Sequence, residues 1–125
     1  MPVVSKKVID DILLEQKSKP RCSEEFRTIF QSHMENFALQ LALHPLDMQK
    51  LHNISKHRIG LSKVRKLKIN KEIWSSEQDF ADVLESQTRI LLDSCEIAMS
   101  HANRKTLMPS DLLVVLSITS VTLFS

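Results

Sequence analysis

His101-Ala102-Asn103-Arg104-Lys105-Thr106-Leu107-Met108-Pro109-Ser110-Asp111 joins two helical patterns through a short basic turn. Upstream, Phe80, Leu84, Leu91, Cys95, Ala98 and Ala102 recur at helical spacing, which predicts a helix from about Ser76 to Arg104. Downstream, Ser110-Asp111 opens a second helix, Asp111 complementing its positive end, before Leu112, Leu113, Val114, Val115 and Leu116. Val83, Ile90, Ile97 and Met99 widen the stripe of the long helix to more than one face. A helix apolar on several sides needs cover on several sides. A chain of 125 residues has little material for that, so a partner helix is the expected supplier.

Further upstream, His52 to Lys71 carries Lys56, Arg58, Lys63, Arg65, Lys66, Lys68 and Lys71 and no acid. Leu61, Val64 and Leu67 allow a short helix within it, over about 60–69, followed by a loop over 70–76 that holds Ile73 and Trp74. The N-terminal half predicts a helix from a Ser5 cap to about Gln16, with Val8, Ile9, Ile12 and Leu13 on one face. Lys17 to Arg21, with Pro20, breaks it. Ser23-Glu24-Glu25 starts another helix, carrying Phe26, Ile29, Phe30, His33, Phe37 and Leu41, which His44-Pro45 ends. Asp47 can start a further short one with Met48, Leu51 and Ile54. Leu112 to Phe124 reads as a buried helix to about Ile118 plus a β-branched tail, too short and too rich in Ser and Thr to span a membrane.

Composition narrows the class. One Gly and four Pro argue against a turn-rich β protein and leave no glycine loop to cradle a phosphate. Tyr is absent and Trp occurs once, so stacking platforms for single strands are scarce. The net charge of +2 is only mildly basic. Cys22 and Cys95 form no CxxC pair and no secretory leader opens the chain, so reduced intracellular thiols are expected. His33, His44, His52, His57 and His101 show no ligand spacing, and His33-Met34-Glu35 lacks the Cys pair of a zinc deaminase. The expectation is no metal, no cofactor, no small-molecule substrate and no catalysis.

The turn resembles loop two of the core-histone fold, where His-Ala-x-Arg-x-Thr precedes a capping Asp. The likeness is nearest to the tetramer-forming core histones and archaeal histones, and it covers about residues 56–118. The fold it implies is all-α: a short helix, a long central helix and a short helix, over 56–125. Residues 1–55 would then be extra helices, a degenerate first unit of a histone-fold doublet, or an unrelated arrangement. A doublet is suggested by Pro45-Leu46-Asp47-Met48 echoing Pro109-Ser110-Asp111-Leu112.

The resemblance implies roles residue by residue. Arg104 would form a loop lock with Asp111. Lys105 and Thr106, together with Arg104, would bind DNA at a phosphate, because in the family loop two of one subunit lies beside loop one of its partner. Lys68 and Lys71 are the loop-one candidates, and Lys63, Arg65 and Lys66 extend the basic footprint. Phe80, Leu84, Leu91, Cys95 and Ala98 would face a partner chain, either another histone-fold protein or a second copy. The bland alternatives are a solvated basic face or a nuclear-import signal for 56–71, and a surface ion pair for Arg104–Asp111. Trp74 is a core anchor or an interface anchor.

The departures are a missing basic tail, Glu72 and Trp74 where the family's first-loop motif stands, and the low net charge. Two functions therefore stand side by side. One is a nuclear, chromosomal protein of nucleosome type that dimerises by helix handshake and binds duplex DNA. The other is a histone-fold scaffolding subunit of a transcription or kinetochore complex, heterodimerising without strong DNA binding.

Overall fold

A computed structural model describes residues 3–16, 19–43, 58–74 and 76–124, with 118–124 as backbone only. The short helix expected from Asp47 lies outside these residues. The described chain is predominantly helical: α1 (Lys6–Glu15), α2 (Glu24–Leu43), α3 (Leu61–Arg65), α4 (Glu77–His101) and α5 (Pro109–Phe124). Two short strands, β1 (Arg21–Cys22) and β2 (Thr106–Leu107), pair in parallel.

Helix starts follow local chemistry. Ser5 Oγ accepts from the Val8 amide, Ser23 Oγ from that of Phe26 and Ser76 Oγ from that of Asp79. Each satisfies a donor that a helix N-terminus leaves unpaired. The end of α4 is equally local. Asn103 takes a left-handed φ of 56°, its amide donates to the Ser100 carbonyl, and the Arg104 amide donates to that of Met99. That double closure needs Gly or Asn at the left-handed position, which Asn103 supplies. Two elements differ from expectation. Helix α3 stops at Arg65, and left-handed Lys68 (φ 52°) turns the chain away. Helix α5 continues to Phe124, since no Gly or Pro follows Pro109 to break it.

The two long helices bury matched positions at one constant offset: Phe26 and Phe80, Phe30 and Leu84, Met34 and Thr88, Ala38 and Leu92, Leu41 and Cys95. The same offset relates their side contacts. Gln31 donates to the Val4 carbonyl, and Glu85 accepts from the Arg58 amide. Each long helix follows a shorter one, α1 before α2 and α3 before α4. Their cores merge, with α5 packed on both α2 and α4.

This arrangement corrects the expectation that a second chain covers α4. Phe80, Leu84 and Cys95 are fully buried within the single chain, and Leu91 and Ala98 are partly buried against the same core. Helices α2, α3 and α5 supply the cover from within, and α1 is tied to α4 by polar contacts. Trp74 is likewise a core residue. Its ring meets Phe80 edge-on at 5.1 Å between centroids, and its Nε1 donates to the Leu41 carbonyl. With the Asn70 amide on the Ala42 carbonyl, it closes the C-terminal end of α2, whose last turn holds no basic residue.

Burial lowers the pKa of His33 on α2 from 6.5. A folded value below the unfolded one means that the unfolded chain binds more protons, so stability falls as pH falls below about 6.5. Glu15, held low first by its hydrogen bond from Arg89, adds a second loss below about 4.5. Urea midpoints at pH 7.5 and 5.0 check the first step: wild type should unfold earlier at pH 5.0, and His33→Gln should remove most of the difference.

Candidate nucleic-acid interface

The turn between α4 and α5 is built on a buried carboxylate. Asp111, 2 % exposed at the third position of α5, accepts from Arg104 Nη1 and Nη2 at 3.1 and 2.6 Å. It also accepts from the Met108 amide at 2.8 Å, half of a capping box closing the helix entry. Arg104 Nη1 donates to the Thr106 carbonyl as well. One fork-shaped cation thus ties the helix entry, the strand and the loop together. The Asp111 hydrogen bonds raise the pKa of Arg104, so it stays charged and engaged.

Asp111→Ala should lower the melting midpoint and loosen the loop, because it orphans the Met108 amide and leaves the guanidinium only the Thr106 carbonyl. Asp111→Asn should recover part of the loss. Amide exchange at Arg21 and Ser23, which bond across to Lys105 and Leu107, reads the loosening directly.

Beside this lock runs the parallel bridge. Arg21 stands opposite Thr106 and Cys22 opposite Leu107, with the Arg21 amide donating to the Lys105 carbonyl and that of Ser23 to Leu107. The pairing brings the loop before α2 against the loop before α5. Arg21 and Lys105 are exposed there, Lys19 is exposed nearby in a left-handed conformation, and Thr106 is half-buried. A non-glycine residue at positive φ costs roughly 1–3 kcal/mol, and such positions gather at functional sites.

The other basic residues form a second cluster. Arg65, Lys66, Lys68 and Lys71 are exposed along the end of α3 and the following loop, and Lys63 is half-buried. This loop is bonded to Leu41 and Ala42, whereas β1 immediately precedes Glu24. The two clusters therefore lie at opposite ends of α2, about 30 Å apart by the rise of a 20-residue helix.

The structure brings Arg104, Lys105 and Thr106 together with Arg21, and it does not bring them to Lys68 or Lys71. Arg21 and Lys19 were not singled out in the sequence, where Lys17 to Arg21 reads as a linker. A signal was present: no acid lies between Gln16 and Ser23. The two thiols are poor nucleophiles, since burial raises Cys22 to about 11 and Cys95 to about 12. No helix among the described residues is long and apolar enough to cross a membrane. No family model, curated protein or solved structure matches the chain.

Proposed function

We propose that this chain is a chromatin-type protein in which two abbreviated histone-like units are fused, so that the handshake is made within one molecule. It binds duplex DNA through phosphates and acts as a binding protein, not an enzyme, on the chromosome of a nucleus. The observation that carries this reading is the β1–β2 bridge. The histone resemblance places loop one of one subunit beside loop two of another, and here the N-terminal half supplies the loop-one strand. The matched burial of α2 and α4 supports the same reading.

The chemistry at the bridge suits a phosphate. Arg21 and Lys105 supply charge, and Thr106 a hydroxyl, with no base-reading element required. The α3 cluster of Lys63, Arg65, Lys66, Lys68 and Lys71 supplies a second contact. A spacing of about 30 Å is close to the 34–36 Å turn of a duplex, so one face of DNA can meet both.

Net charge of +2 favours one other reading, a scaffolding subunit that touches DNA weakly. A salt titration separates the two. Fluorescence anisotropy with a mixed-sequence duplex should give nanomolar-to-micromolar binding at low salt. The logarithm of affinity should fall linearly with the logarithm of salt, at a slope of roughly −0.9 per phosphate contacted. Four contacts give a slope near −4. A shallow slope with negligible low-salt affinity would sink the DNA reading and leave the scaffold.

A further inference from the structure

The handshake surface of α4 is closed within the chain, yet one stripe of that helix remains open. Asp93, Glu96, Ile97, Ser100 and His101 line a depression on its outer face, at the spacing that puts them on one side of a helix. Ile97 is 61 % exposed at its centre. We propose that this stripe docks a second copy of the same chain, α4 against α4 in antiparallel array, with Ile97 meeting Ile97. The proposal does not rest on the nucleic-acid reading.

The order of polar groups, an acceptor at Asp93 and an imidazole donor at His101, selects both the occupant and its direction. Asp93 and His101 lie four residues either side of Ile97, about 6 Å along the axis in each direction. A two-fold axis through Ile97 sets Asp93 of each copy opposite the other copy's His101, so the contact is made twice. A parallel arrangement would set Asp93 on Asp93 and His101 on His101. Ser94 and Ser100 fall opposite each other three residues from the centre, and their small side chains permit close approach. Asp93 is held in place by Gln16 Nε2 at 2.7 Å, so one pairing group is already oriented.

The matching face of α2 cannot take this role. There Leu43 and Leu39, 57 % and 53 % exposed, stand at the offset positions of Ile97 and Asp93. That face offers His101 no acid at the paired position. The stripe is self-complementary, as an isologous contact between identical subunits must be. Its area is that of five side chains on one helix, below the roughly 800 Å² per partner of stable complexes. The dimer is therefore weak, with a dissociation constant on the order of 100 µM.

Sedimentation velocity of the full chain from low-micromolar to near-millimolar concentration tests it. The sedimentation coefficient should rise toward that of a dimer. Ile97→Arg should weaken association at least about tenfold while leaving the helical spectrum unchanged, because the side chain is exposed. His101→Asp should weaken it too, and adding Asp93→Lys should restore it, since the pair is then reversed rather than lost. In a Cys22→Ser background, Ile97→Cys should cross-link copies on mild oxidation and Leu43→Cys should not. A monomer at every concentration overturns the proposal. So does a dimer indifferent to Ile97→Arg, or one cross-linked at Leu43→Cys instead.

Discussion

Arg21→Glu combined with Lys105→Glu should lower duplex affinity roughly a hundredfold at low salt, with the fold intact. The magnitude follows from counterion release. A contact contributing a slope of about −0.9 accounts for about a factor of ten at 50 mM salt, and two such contacts multiply. The salt slope itself should flatten by about two. Both side chains are exposed and the bridge is made by backbone atoms, so the substitutions do not touch what holds the loops together. An unchanged melting midpoint confirms that point, and anisotropy reads the affinity. Each single variant should fall between wild type and the double. If the double variant binds as well as wild type while charge reversal of Lys66 and Lys68 abolishes binding, the α3 cluster alone contacts DNA.

Glu85→Ala should cost about 3–5 kcal/mol of folding stability. Glu85 is fully buried on α4 and accepts from the Arg58 and Ile59 amides at 2.5 and 2.9 Å and from Arg89 at 3.2 Å. Arg89 and Arg58 also meet Glu15 of α1, each at 2.6 Å. Four charged residues thus join α1, the segment entering α3, and α4. Removing this carboxylate leaves the Arg58 and Ile59 amides unpaired and Arg89 with Glu15 alone, and the desolvation of those donors dominates the loss.

Glu85→Gln should cost much less, because its carbonyl oxygen can still accept from both amides. Urea titration at pH 7 gives both values, and a loss below about 1 kcal/mol for Glu85→Ala would show that water replaces the carboxylate. The effect also bears on function. The same contacts fix the residues that enter α3, which carries the second basic cluster. Amide exchange in Leu61–Arg65 should therefore rise in Glu85→Ala beyond what global destabilisation gives.

How legible this was varies by element. The lock of Arg104 on Asp111 was readable through the histone-like turn that carries both residues, and only seven positions separate them. The site as a whole was not. Arg21 and Lys105 are distant in sequence and neighbours only through the bridge, and no local pattern specifies which loop a two-residue strand will choose. A doublet was one of three arrangements the sequence left open for residues 1–55. The echo of Pro109 around Pro45 suggested it, but the Pro45 segment lies outside the described residues. The match of α2 to α4 emerged only from which positions are buried, because Thr88 and Cys95 stand where Met34 and Leu41 do.

By itself the sequence determined where α1, α2, α4 and α5 begin and where α4 ends. Ser5, Ser23, Ser76, Asn103 and Asp111 act on backbone groups within a turn of themselves, so their chemistry requires nothing distant. It also determined that α4 must be covered on several faces, because burial of apolar surface depends on amount and periodicity. What covers it was decided only by the tertiary structure. The hydrophobic effect is non-directional: a stripe of Phe80, Leu84 and Cys95 is satisfied equally by a second chain or by this chain's own helices. Directional contacts made the choice, in the β1–β2 bridge and in the hydrogen bonds that converge on Glu85.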